Sequence, residues 1–301
     1  MKKLFGVTVP IITPFDEKGE VDIPSMENLA EYIVQSGLHC LYPCGTTGEM
    51  LMLNQEERKA IVEAVVRQAN HRVPVFAQVG AMNLRDTAEL AKHAYDVGAD
   101  GIGVITPAFF KLSDEELIEY YGQVAESIPE DYPMYLYAIP QNAVNDINPY
   151  VASQVASMHR NVVGIKYSYP NVSRIQQFML INNGTFSVLV GPDELFEAVV
   201  AVGGDGTVSG NSMIIPEHYL AVWDALQKKD FEAATKLQRR TTMLNGILCA
   251  QNNIASYKVM LKEKGIIKTS MMRSPFGQLS PEEEKALIKK LTDNHYGEVI
   301  L

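Results

Sequence analysis

Lys166 closes the apolar run Val162-Val163-Gly164-Ile165-Lys166. In an extended segment side chains alternate between faces, so Val162, Gly164 and Lys166 share one face and Val163 and Ile165 the other. Gly164, directly beneath on that face, leaves room for the four-carbon stem. A lysine drawn into apolar surroundings has its charged form disfavoured, and the freed amine lone pair can add to a carbonyl carbon to give a Schiff base. The plainer alternative is a lysine that ends a strand and reaches back to water. Tyr137 ends Tyr135-Leu136-Tyr137 and can share the same place as a proton shuttle; the alternative is a buried tyrosine with a satisfied hydroxyl.

Three loops add polar groups. Gly45-Thr46-Thr47-Gly48-Glu49 combines glycines with two hydroxyls and free backbone N–H groups, a composition suited to a carboxylate and equally to an ordinary turn. Gly191-Pro192-Asp193-Glu194 and Ser209-Gly210-Asn211-Ser212 supply acceptors and hydroxyls for a polyhydroxylated ligand. Asp193 and Glu194 serve as well for an N-cap and first-turn acid of the next helix. Six histidines include no H-E-x-x-H and no paired spacing, and Cys40 and Cys44 flank Pro43 as core thiols, so no metal is expected. A G-x-S-x-G elbow, a G-x-G-x-x-G after the first strand and a phosphate-binding G-x-x-x-x-G-K-[ST] are all missing from the sequence.

These residues need a scaffold that brings strand ends together. Eight short apolar runs read as strands: 5–12, 39–43, 74–79, 101–106, 134–138, 162–166, 186–190 and 206–209. Amphipathic stretches lie between them, among them 25–35, 55–70, 84–97, 114–127 and 195–202, with Asn54 and Ser113 as N-caps before first-turn acids. Gly98 to Gly103 reads as a helix C-cap and tight turn leading into a strand. Strands apolar throughout, each followed by a helix, imply a parallel sheet covered by helices, and eight repeats favour a closed (β/α)8 TIM barrel of the α/β class. Catalytic groups then belong at the C-terminal strand ends, where Lys166, Tyr137 and the three loops fall. After Ser209 helical segments follow at 217–227, 230–248, 254–264 and 281–292, with Gly265 as a stop and Ser280-Pro281-Glu282-Glu283 as a new start. The expected organisation is a catalytic barrel over 1–228 and a C-terminal helical region over 229–301.

Composition narrows the partners. The 301 residues carry a net charge of −10, which opposes non-specific attraction to nucleic acid or an anionic membrane. Three cysteines are too few for a disulfide framework and fit a reducing compartment, so cytoplasm is expected. The opening MKKLFGVTVPIITPF imitates a signal peptide, yet Pro10 and Pro14 interrupt it and Asp16 closes it; a buried first strand is the better expectation. No apolar stretch is long enough for a membrane span.

Five motifs in order resemble one family: GVTVPIITPFDEKGEVD at the start, GTTGE at 45–49, VITP at 104–107, LY-x-x-P at 136–140 and GIKYS at 164–168. The chain resembles, over nearly its whole length, the pyruvate-dependent class I aldolases that include N-acetylneuraminate lyase and dihydrodipicolinate synthase. The resemblance implies that Lys166 forms the Schiff base with pyruvate, that Tyr137 shuttles the proton, that Thr46 positions Tyr137 and that Thr47 helps hold the pyruvate carboxylate. It places Ser168, Gly191, Asp193, Glu194 and Ser209 among the groups that line the substrate, and it implies a homotetramer with no metal or organic cofactor.

Departures choose among members. Asn142 stands where the synthases usually carry an arginine, and Lys166-Tyr167-Ser168 looks like the sugar-acid lyases rather than the synthases. Ala108-Phe109-Phe110 replaces the tyrosines that usually follow the Thr-Pro, and Ala138 an asparagine. The expectation is a lyase that cleaves a 2-keto-3-deoxy sugar acid, N-acetylneuraminate being one candidate, to pyruvate and an aldehyde. The alternatives are a dihydrodipicolinate synthase that condenses pyruvate with aspartate semialdehyde, and a non-catalytic ligand-binding barrel.

Overall fold

A computed structural model describes residues 1–299 of the chain. In chain order the elements are β1 (Gly6–Pro10), α1 (Ile23–Gln35), β2 (Cys40–Tyr42), α2 (Gln55–Ala69), β3 (Phe76–Gln78), α3 (Leu84–Asp96), β4 (Gly101–Ile105), α4 (Asp114–Glu126) and β5 (Met134–Ala138). Then come α5 (Pro140–Ala143), α6 (Pro149–Met158), β6 (Val162–Tyr167), α7 (Val172–Phe178), β7 (Ser187–Val190), α8 (Phe196–Ala201) and β8 (Gly206–Val208). Four helices follow: α9 (Pro216–Gln227), α10 (Phe231–Leu248), α11 (Asn253–Glu263) and α12 (Pro281–Asp293). The strands form one sheet in the order β2-β1-β8-β7-β6-β5-β4-β3, with parallel pairing of β1 with β2 and of each strand with the next from β3 to β8. This is the (β/α)8 TIM-barrel fold with additional C-terminal helices.

Local chemistry starts the helices where the sequence expects. The Asn54 side chain accepts from the Glu57 N–H at 2.9 Å while Glu57 accepts from the Asn54 N–H at 2.8 Å, a reciprocal box repeated at Ser113/Glu116 and Ser280/Glu283. Such a cap stabilises a helix by about 1 kcal/mol. Gly98, at φ +84°, ends α3 as expected. Several strands are shorter than their apolar runs. Pro43 and Pro74 have no N–H to donate to a ladder, so β2 and β3 begin or stop inside them. α6 and α7 complete the repeats between β5 and β7; Asn148 before Pro149 and Asn171 before Val172 cap them.

Packing divides the chain into two compact units: residues 1–6 with 74–208, and 7–73 with those from 209 onward. The first contains β3 to β8 and the helices between them. Its core includes the Phe76 ring edge-on to Tyr135 at 5.6 Å, and the Tyr135 hydroxyl accepts from the Leu4 N–H at 3.0 Å. β6 is tightly packed at Gly164: a Cβ there would lie 2.5 Å from the Ser187 carbonyl oxygen and 2.5 Å from a Tyr135 ring carbon. Glycine is required there by Tyr135 and Ser187 rather than by the Lys166 stem. In the second unit α1 packs on α2 and α9 on α10, and the His39 and Trp223 rings meet at 5.5 Å. Arg273 also holds this unit together, donating to both Glu57 oxygens at 2.8 and 2.9 Å and to the carbonyls of Gly19 and Met52.

Gly164→Ala is expected to destabilise the fold by roughly 1–3 kcal/mol through overpacking, read as a lower midpoint in denaturant. The Arg273 guanidinium holds the Glu57 carboxyl below the usual carboxylate range. A depressed carboxylate contributes stability that is complete above the unfolded value and is lost as pH falls through the folded one. Wild type should therefore melt above Glu57→Gln at pH 7, with the gap narrowing as pH falls below the usual carboxylate range; a gap that widens on acidification would contradict the assignment.

Candidate active site

β5 and β6 pair in register with one irregularity. Met134 faces Val162, but the next residue, Tyr135, faces Gly164, so Val163 is an extra residue on β6. From there Leu136 faces Ile165 and Tyr137 faces Lys166. The consequence is direct contact: the Lys166 Nζ lies 4.0 Å from the centroid of the Tyr137 ring. Both are enclosed, Lys166 at 4% exposure and Tyr137 at 1%, so the lysine does not snorkel to water. A cation over an aromatic face is stabilised by the ring quadrupole, by about 2 kcal/mol or more once desolvated.

The residue beyond β6 turns toward β7. Ser168 is buried, its N–H donates to the Ala138 carbonyl at 2.8 Å, and its own carbonyl accepts from the Gln141 side chain at 2.9 Å. Its hydroxyl lies directly over Gly191: a Cβ there would sit 2.0 Å from the Ser168 Oγ. Gly191 thus lets Ser168 occupy the gap between the ends of β6 and β7. Asp193 and Glu194 begin a short 3-10 turn, Asp193–Leu195, that leads into α8. Neither caps it, because the N-cap positions of the turn and of α8 are Pro192 and Leu195, without a side-chain cap bond. Asp193 is half-buried and Glu194 exposed.

The other expected residues belong to the second unit. Thr46 and Thr47 are half-buried in a turn in which the Gly48 N–H donates to the Gly45 carbonyl and the Glu49 N–H to the Thr46 carbonyl, each at 3.0 Å. The turn is pinned from outside by Thr13, whose hydroxyl donates to the Gly48 carbonyl at 2.7 Å. Ser209 is buried and committed locally: its Oγ accepts from the Ser212 N–H at 3.3 Å and its carbonyl from the Ser212 hydroxyl at 2.7 Å.

Two residues outside the sequence reading organise these loops. Lys258 on α11 and Glu49 form a fully buried ion pair at 2.5 Å. Burial pushes the Glu49 carboxyl up and the Lys258 ammonium down to about 8, and each partner opposes the other's shift. A lysine inside the apolar run Ile254-Ala255-Ser256-Tyr257-Lys258-Val259-Met260 was its only sequence signal. In the first unit the buried Asn145 side chain donates to the carbonyls of Pro107 and Phe110 at 2.8 and 2.7 Å and accepts from the Leu112 N–H at 2.9 Å. It thereby shapes the segment that exposes Phe109 and Phe110, whose rings meet edge-on at 5.1 Å. Nothing around Asn145 in the sequence distinguishes it from a loop asparagine.

Among the described residues no cluster of three or more His, Cys, Asp or Glu is placed to hold a metal ion, and no helix is long and apolar enough to cross a membrane. Residues 3–294 match the dihydrodipicolinate synthetase family. A 4-hydroxy-tetrahydrodipicolinate synthase of Methanocaldococcus jannaschii is 33% identical over 288 residues, 96% of this chain and 98% of its own. Among solved structures, the dihydrodipicolinate synthase of Acinetobacter baumannii complexed with pyruvate superposes with a TM-score of 0.90 at 32% identity, covering 99% of this chain and 100% of that one. A catalytic lysine mutant of the Ruminococcus gnavus sialic acid aldolase gives a TM-score of 0.91 at 26% identity, with 98% of each chain covered. A family match and relatives that span both chains almost end to end make this chain a member of the dihydrodipicolinate synthetase family, which supports pyruvate-dependent lyase and synthase chemistry at the family level.

Proposed function

We propose that this chain is a class I aldolase in which Lys166 is the Schiff-base residue and Tyr137 the proton shuttle. The observation that carries the reading is the enclosed Lys166 ammonium 4.0 Å over the Tyr137 ring. The neutral amine adds to the C2 carbonyl of a 2-keto acid, and the carbinolamine oxygen leaves as water with the proton of the Tyr137 hydroxyl, giving an iminium on the same nitrogen that the Tyr137 ring faces. In cleavage the Tyr137 oxygen, having given its proton to the departing water, takes the proton of the C4 hydroxyl as the C3–C4 bond breaks, its electrons passing into the iminium to give an enamine. The aldehyde departs, C3 of the enamine is protonated, and water releases pyruvate and restores the Lys166 amine. Thr46, as the group that orients Tyr137, and Thr47, as a carboxylate contact, enter on the family resemblance. The Ruminococcus gnavus sialic acid aldolase, with its catalytic lysine, and the pyruvate complex of the Acinetobacter baumannii synthase support this reading.

The proposed substrate is a 2-keto-3-deoxy sugar acid, with N-acetylneuraminate one candidate. Asn142 in place of an arginine supports it. So do Ser168 over Gly191 and the acidic pair Asp193 and Glu194, which cap no helix and offer hydroxyl acceptors. A second reading, condensation of pyruvate with aspartate semialdehyde, is favoured by the Methanocaldococcus jannaschii relative at 33% identity. The barrel over 1–228 with a helical region over 229–301, a homotetrameric assembly and a cytoplasmic location belong to the same proposal.

Borohydride reduction with pyruvate is expected to trap a covalent adduct on Lys166, identified by peptide mass, and Lys166→Ala to abolish it. Tyr137→Phe should still trap pyruvate but lose turnover by about 10²–10⁴-fold, the usual share of a positioned proton-transfer group. Release of pyruvate from sugar acids, against its consumption with aspartate semialdehyde, separates the two substrate readings. Near-normal turnover in Lys166→Ala would overturn the Schiff-base mechanism.

A further inference from the structure

Glu49 has a left-handed backbone, φ +57° and ψ +38°, a conformation disfavoured for a residue with a side chain. It persists where surrounding contacts over-determine it. Glycine would fit this position more easily, yet a carboxylate stands there, and its Oε2 accepts from the Lys258 Nζ at 2.5 Å. The Lys258 Nζ also donates to the Met271 carbonyl at 2.9 Å and lies 4.2 Å from the centroid of the buried Phe15 ring. Arg273, two residues beyond Met271, lies 4.4 Å from the same ring and grips Glu57 at the start of α2. Through its own backbone Glu49 closes the turn, donating to the Thr46 carbonyl at 3.0 Å and accepting from the Met52 N–H at 2.8 Å. All of these groups lie in one packing unit.

We propose that Lys258 is a positioning residue: its buried ion pair with Glu49 fixes the left-handed end of the Gly45–Glu49 turn and, through it, the presentation of Thr46 and Thr47. The geometry of the carboxylate contact is thereby set from α11 and the 269–273 segment, more than two hundred residues along the chain from the turn that carries it. The inference rests on the role proposed above for Thr46 and Thr47. A buried pair of this kind is rigid because neither charge can leave the other without a large desolvation penalty. It holds a backbone turn in one geometry more firmly than a solvated contact would.

The test uses the full chain and the variants Lys258→Met, Glu49→Gln and their combination. In Lys258→Met the pyruvate concentration for half-maximal borohydride trapping should rise about tenfold or more, while saturating pyruvate still yields the adduct on Lys166. Glu49→Gln should shift half-saturation the same way, and the double variant should be no worse than the weaker single one, because both act through one link. Backbone amide exchange over residues 45–49 should accelerate in each variant, with α4 unchanged. A folded Lys258→Met with wild-type half-saturation, or one whose adduct yield falls equally at every pyruvate concentration, would overturn the proposal. Should Lys258→Met not fold, Glu49→Gln, which keeps an acceptor for Lys258 and removes only the charge, carries the same readouts. If wild type traps no pyruvate, the Schiff-base reading falls; exchange over 45–49 then decides the clamp, and unchanged protection sinks it.

Discussion

Tyr137 stands beside Lys166 because β6 carries one residue more than β5. Without Val163 as the extra residue, continuous pairing from Met134 and Val162 would set Tyr137 opposite Ile165, and the lysine would pair beyond the tyrosine. A side-chain period of two makes such a slip consequential, since neighbouring residues face opposite sides of the sheet. Gly164 follows the extra residue, is set opposite Tyr135 by the altered register, and also accepts the close approach of Ser187 from β7. The Lys166–Tyr137 contact and the seating of Tyr135 on Gly164 thus have one cause.

The polar groups near the strand ends are held in different ways. Ser168 is fixed by its N–H on Ala138 and by the space that Gly191 leaves for its hydroxyl. The Gly45–Glu49 turn is fixed by an ion pair that no water reaches. Removing one member of a buried pair typically costs about 3–5 kcal/mol, mostly because the other charge is stranded, whereas an exposed pair such as Lys236 and Glu232 contributes about 1 kcal/mol or less. The contrast separates a contact that shapes a loop from one that decorates a surface. Asn145 serves a third segment by the same logic with neutral groups, satisfying three backbone atoms between Pro107 and Leu112 with one side chain.

The family match and the fold bear on the chemistry at different depths. Barrels of this class host many reactions, so the architecture alone says only where a site belongs. Membership in the dihydrodipicolinate synthetase family narrows the reaction to pyruvate-dependent carbon–carbon chemistry. The choice of aldehyde partner rests on individual pocket contacts worth about 1–3 kcal/mol each, and Asn142, Ser168 and Asp193 are the groups proposed to make them.

Much of this was legible along the chain. Strand identity followed from short apolar runs, helix starts from Asn54, Ser113 and Ser280, and the candidate pair from Lys166 and Tyr137 at the ends of two runs, because each signal is local and needs no knowledge of neighbours. The family's motifs are local too, which is why five short segments sufficed to suggest it. What packing alone decided is non-local. Lys258 lies 209 residues from Glu49, Asn145 acts on a segment more than thirty residues away, and the role of Gly164 depends on Tyr135 and Ser187 from two other strands. No periodicity encodes such encounters. They arise from the burial of charge and the exclusion of atoms, and these exist only once distant segments have been brought together.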